Sequence, residues 1–130
     1  MSVQIEVSCG ELCDKITILE IKSERIHEPA KRSNVMRELD GLNIVWARLD
    51  LAAVAAQVDD TRRALRAVNE RLWVIEDDIR QLERERRFDA DFIALARAVY
   101  QINDERARLK RRIDELLGSR LVEEKSYAPY

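Results

Sequence analysis

The sequence predicts an all-α fold: an antiparallel three- or four-helix bundle with a long coiled-coil-like helical hairpin. A short extended N-terminal arm (residues 1–7) and a non-helical C-terminal tail (residues 119–130) complete a single helical domain over 1–130. Three observations predict this. Apolar residues recur at alternating spacings of three and four over most of the chain, the mark of a helix with one buried face. Hydrophobic residues at 46% and charged residues at 37% suit a packed chain rather than a disordered one. With only three glycines and two prolines, there is little turn chemistry for a sheet protein.

The elements follow in order. Val3, Ile5 and Val7 alternate with Gln4 and Glu6, a period-two signal with no hairpin partner beside it, so an arm lying on the helices is expected. Ser8-Cys9-Gly10-Glu11 matches a capping box and opens a first helix that runs to about Ile26, before Pro29. A second helix starts after Pro29 or near Ser33, with the stripe Val35, Leu39, Leu42, Trp46, Leu49. Whether it continues through Asp50, or stops there with Asp60 capping the next helix, is open. A third helix carries Leu65, Val68, Leu72, Ile75, Ile79 and Leu82. A break at Phe88-Asp89-Ala90-Asp91 offers two caps for a fourth helix. That helix bears Phe92, Leu95, Val99, Ile102, Arg106, Leu109, Ile113 and Leu116 and ends at Gly118. The last two helices should each span roughly 35–40 Å at 1.5 Å per residue. The tail holds Leu121, Val122, Tyr127 and Tyr130, so it should fold back on the helices or pair with the arm.

The first helix raises the functional question. On a helical wheel Leu12, Ile16, Leu19 and Ile26 share one face, while Ile18 and Ile21 lie roughly opposite, bracketed by Asp14 and Arg25. A helix in a bundle needs one apolar face, so a second suggests a second contact. Two copies crossing a two-fold axis would bring Asp14 of one near Arg25 of the other, making a homodimer with Asp14, Ile18, Ile21 and Arg25 as interface candidates. Alternatively, the helix is central to its own bundle and the tail and arm cover that face. Trp73, on the flank of the third helix beside Asn69, Glu76 and Arg80, is either an edge residue or a further interface anchor.

The leading functional expectation is therefore a non-catalytic helical interaction module. The alternative is a binder of, or an enzyme acting on, an anionic metabolite or nucleotide, in a charged pocket between the first helix, the third helix and the tail. Glu11, Asp14, Lys15, Lys22, Asp77 and Tyr127 are its ligand-binding candidates. Glu11 and Asp14 could join Glu76 or Asp77 around Mg²⁺, but acids three apart occur in almost any charged helix, so no metal and no cofactor is expected. Arg106 interrupts an apolar stripe and must snorkel, pair with the acids Glu76-Asp77-Asp78, or bind an anion. Cys9 and Cys13, four apart, are too close on a helix for a good disulfide and are expected as half-buried thiols. The arginines Arg62, Arg63 and Arg66 read as a solvated helix face. No residue pattern around the single histidine, His27, points to a Ser-His-Asp set. Aromatic residues at 5% and a net charge of -2 weigh against nucleic acid and anionic membranes as partners. No apolar signal core or membrane-spanning run is present, so a cytoplasmic protein is expected.

VSCGELCDKITILEIKSERI (7–26), LWVIEDDIR (72–80), NDERARLKRRIDELLGS (103–119) and LVEEKSY (121–127) together resemble a bacterial family of small helical proteins labelled a domain of unknown function. The resemblance spans nearly the whole chain. It implies a mainly helical protein in which the first segment and LVEEKSY lie together. It implies no catalytic residue and no cofactor. As to partners, it points to a protein in a glycan-related pathway.

Overall fold

The computed structural model describes all residues, Met1–Tyr130. It contains four helices and no strand: α1 (Cys9–Arg25), α2 (Pro29–Ala47), α3 (Ala55–Arg84) and α4 (Ala90–Leu117). The ends of these helices follow from local chemistry. The Ser8 hydroxyl accepts from the Glu11 amide at 3.0 Å, but the Glu11 carboxylate leaves the capping box and pairs with Lys110 instead. Pro29 occupies the first turn of α2, where its fixed φ and missing N–H cost nothing. So α2 begins there and not at Ser33. It stops at Ala47, and Asp50 turns the connection by accepting from the Ala52 amide at 3.2 Å. Asp60 lies inside α3 and does not cap it. Asp89 is the cap of α4, accepting from the amides of Asp91 and Phe92. Gly118 takes the left-handed conformation (φ 59°) that closes α4, and the Ser119 amide reaches back to the Asp114 carbonyl. At 1.5 Å per residue α3 and α4 are about 45 and 42 Å long, longer than the sequence pattern alone indicates.

α1 contacts each of the other three helices, and α3 packs along α4. Leu12, Ile16 and Leu19 form one core cluster with Leu39 of α2, the face expected from the wheel. On its other side Cys13 meets Val58 and Leu65 of α3 and Ile113 of α4. The second apolar face of α1 is spent inside the chain. Ile21 is only 1% exposed, and Asp14, also 1% exposed, bonds to α3 and α4. Ile18 is half-buried beside Leu72, Trp73 and Arg106, and Arg25 stays exposed. An Asp14–Arg25 pairing across two copies therefore has no open surface on which to form. What covers the face is α3 and α4, not the tail or the arm.

The hairpin formed by α3 and α4 outruns α1. Leu65, Val68, Ile102 and Ile113 are buried where α1 lies against them. Further out Leu72, Ile75, Ile79, Phe92, Leu95 and Val99 are only half-buried, with Leu82 alone closing the far end. The arm (1–7) forms no strand and its apolar side chains are exposed. Glu6 pairs with Arg120 of the tail. No helix is long and apolar enough to cross a membrane.

Candidate functional site

The facing surfaces of α1 and α4 form a polar ladder. Arg106, Lys110 and Asp114 recur every four residues on α4, one above the next on a single face. They meet Asp14, Glu11 and Gly10 of α1 in reverse order. The Arg106 Nε and Nη2 donate to the two carboxylate oxygens of Asp14 at 2.8 and 2.5 Å. Asn69 of α3 donates to the same carboxylate at 3.0 Å and to the Thr17 hydroxyl at 3.0 Å. This gives the buried Asp14 charge the hydrogen bonds without which it would cost several kcal/mol. The Asp14 hydrogen bond, acting against burial, holds the Arg106 guanidinium above its usual range. Arg106 thus pairs with α1 and not with the acids of α3.

At the other end Asp114, 1% exposed, accepts from the Gly10 amide at 2.6 Å and from the Glu123 amide at 2.8 Å. One carboxylate joins the start of α1, the end of α4 and the tail, where the positive end of the α1 dipole favours it. Lys110 bridges Glu11 (2.7 Å) and Glu123 (3.2 Å). Burial pulls its ammonium down, but Glu11, Asp14 and Glu123 outweigh it and leave a net rise. Further along the tail Lys125 pairs with Asp104 at 2.7 Å, and the Tyr130 ring packs edge-on against Tyr100 at 5.2 Å. The Lys125 hydrogen bond, then that of Tyr130, holds the Asp104 carboxyl below its usual range.

Two clefts flank Arg106 and share it with Asn103. The larger, about 600 Å³, lies between α4 and the tail; Tyr100, Lys110, Lys125, Tyr127 and Tyr130 are among its lining residues. The smaller, about 360 Å³, lies between α1, α3 and α4; Ile18, Lys22, Trp73, Asp77 and Arg80 are among its lining residues. Lys22 and Asp77 thus share one cleft, Tyr127 sits in the other, and Asp14 and Glu11 act behind them on Arg106 and Lys110. The single pocket expected from sequence is divided in two. Lys15 leaves the site, reaching toward Glu38 of α2 at 3.9 Å. Trp73 lines the smaller cleft and is half-buried there.

Asn69, Asn103, Asp104, Lys110, Asp114, Lys125 and Tyr130 were not legible as site residues. The four-residue spacing of Arg106, Lys110 and Asp114, opposite in order to Asp14, Glu11 and Gly10 of α1, is the one signal in the sequence, and it points to Lys110 and Asp114 alone. Arg62 and Arg66 also cross between helices, to Glu20 and Glu24 of α1, rather than forming a solvated face. No group of three or more His, Cys, Asp or Glu side chains is placed to hold a metal ion. Both cysteines are free; burial pushes the Cys13 thiol up to about 12, which leaves it protonated and unreactive at neutral pH.

No curated protein and no solved structure matches the chain. A family model matches residues 3–129, nearly the whole length, including the ladder and every lining residue of the two clefts except Tyr130. The chain belongs to the family described as Family of unknown function (DUF6165).

Proposed function

We propose that this chain is a non-catalytic helical interaction module that docks a partner polypeptide in the cleft between α4 and the tail. The observation that carries this reading is the state of the charges there. Arg106, Lys110 and Lys125 are each already neutralised by Asp14, by Glu11 and Glu123, and by Asp104. A paired set of this kind leaves no free acid or base for proton transfer. What the cleft offers instead is Tyr100, Tyr127 and Tyr130 beside Val99 and Ala107. Exposed aromatic side chains beside satisfied charges are the anatomy of a protein interface. In this reading the scaffold is an antiparallel four-helix bundle with a coiled-coil-like α3–α4 hairpin. The reversed order of the α1–α4 pairs and the short α3–α4 link support it.

Site-specific photocrosslinking tests this directly. With p-benzoyl-phenylalanine replacing Tyr127, one discrete crosslinked species should form in cells. The same group replacing the exposed Arg63 on α3 should give none. A species of twice the chain mass identifies the partner as a second copy. Crosslinks absent at position 127, or equal at the two positions, defeat the reading.

A further inference from the structure

We infer that the smaller cleft, between α1, α3 and α4, is a binding site for an oxyanion, a carboxylate or phosphate group carried on a flat apolar body. The protein leaves several hydrogen-bond donors in this cleft unused. Lys15, Lys31, Lys110 and Lys125 each lie within ion-pair distance of a carboxylate, whereas Lys22 alone among the lysines does not. Lys22 is half-buried and lines this cleft. The Trp73 indole N–H, on α3 in the same cleft, meets no protein acceptor. Asn103 of α4 receives only a marginal 3.5 Å contact on its oxygen, which leaves its amide N–H groups free. Arg106 spends Nε and Nη2 on Asp14, and its Nη1 has only that marginal contact with Asn103. Three helices thus contribute four donors with capacity to spare to one cleft of about 360 Å³: Lys22 as its one unpaired cation, the Nη1 of the Asp14-paired Arg106, and the N–H groups of Trp73 and Asn103. That size lies within the range of small-molecule sites.

The geometry behind these donors is rigid. The carboxylate of Asp14, held in turn by Asn69, fixes the plane of the Arg106 guanidinium, so the anion contact is oriented before a ligand arrives. Ile18 and Leu72 supply an apolar wall beside the Trp73 ring, which suits a planar group on the ligand. Glu76 is neutralised by Arg80 at 3.0 Å, so Asp77 is the one acid of the lining left unpaired. Asp77 lies at the exposed side, where it repels a second negative charge and accepts from a hydroxyl or amine on the ligand. The tail-side cleft shares Arg106 but has no unpaired cation such as Lys22. This inference is independent of the docking reading and needs no partner protein to be tested.

The test is titration of the intact protein with phenyl phosphate, read by the two indole N–H resonances. Trp46 packs against the α1–α2 core and under the Arg62 guanidinium, is not among the residues lining the cleft, and serves as the internal control. Phenyl phosphate should move the Trp73 resonance saturably and leave Trp46 in place. Inorganic phosphate should act on Trp73 more weakly, and benzylamine not at all. Lys22→Gln should weaken binding about tenfold or more, since it removes a charge-assisted contact. Asp77→Asn should tighten it. An unmoved Trp46 resonance in each variant shows that the fold is kept. No saturable shift at Trp73, an unchanged affinity in Lys22→Gln, or an equal response to benzylamine would overturn the assignment.

Discussion

Cys13 shows how a single residue can be legible in identity and illegible in role. Spacing alone places Cys9 and Cys13 on one helical face, but only the packed structure separates them: Cys13 is fully buried against Val58, Leu65 and Ile113, and Cys9 is half-buried. Burial raises the Cys13 thiol from 9.0 to about 12, and this becomes a pH dependence of stability. In the unfolded chain the thiol ionises at its ordinary value, while the folded chain keeps it protonated. The folded state therefore binds more protons across the interval from 9 to about 12. The contribution is complete below pH 9 and is lost as pH rises through that interval, by up to about 1.4 kcal/mol per pH unit. Cys13→Ala starts from a lower stability at pH 7 because of the cavity it leaves, and its denaturant-unfolding profile should then be flatter above pH 9 than that of the wild type. Parallel profiles would mean that Cys13 is accessible to hydroxide or already ionised. Asp14 gives the complementary lesson. Its acid character and helical face are plain in the sequence, but its partner lies ninety-two residues away, and pattern within one helix cannot find it.

Among the elements, the join between α1 and α4 decides where the site sits. The periodicity of α4 flags Arg106 as an interruption, and the capping box flags the start of α1. Neither shows that Gly10 is the point of closest approach. A Cβ added at Gly10 would lie 2.1 Å from the Lys110 carbonyl oxygen and 2.8 Å from the Asp114 carboxylate. The first of these is backbone and cannot rotate away. Gly10→Ala must therefore push α1 off α4 and break the Asp114–Gly10 bond, at a cost of about 3 kcal/mol or more. A thermal melt should show a large fall in Tm for Gly10→Ala. By contrast, Gly41→Ala on α2, where an added Cβ meets nothing within 4 Å, should be neutral or slightly stabilising. Equal melting temperatures for Gly10→Ala and wild type would show that the two helices are not held this closely. The helix boundaries that the sequence does reveal, at Ser8, Pro29, Asp89 and Gly118, are those set by short-range cap chemistry. The stop of α2 before Asp50 is less visible because it depends on Trp46 and Leu49 turning back into the core.

At the scale of the whole molecule, the mismatch in helix length sets the distribution of stability. α1 is 17 residues long and α3 is 30, so α1 can cover little more than half of the hairpin. Where it lies against α3 and α4, three helices bury Val58, Leu65, Val68, Ile102 and Ile113. Beyond it two helices alone share a half-exposed seam, and Val74 and Ile93 face solvent. Local stability follows the apolar area that each segment buries, so the far end should open without unfolding the rest. Native-state hydrogen exchange should then show lower protection in residues 72–84 and 90–99 than in 58–69 and 102–116, with the gradient running along both helices together. The sequence stripes on α3 and α4 keep their spacing over their full length, Arg106 apart, and give no hint of this division, because it arises from what a third helix covers. Uniform protection would mean either that the hairpin is intrinsically firm or that something covers its far end in solution. If that cover is a second copy, the extra protection should fall on dilution, which gives exchange at two protein concentrations the power to separate an intrinsically firm hairpin from one clasped by its own kind.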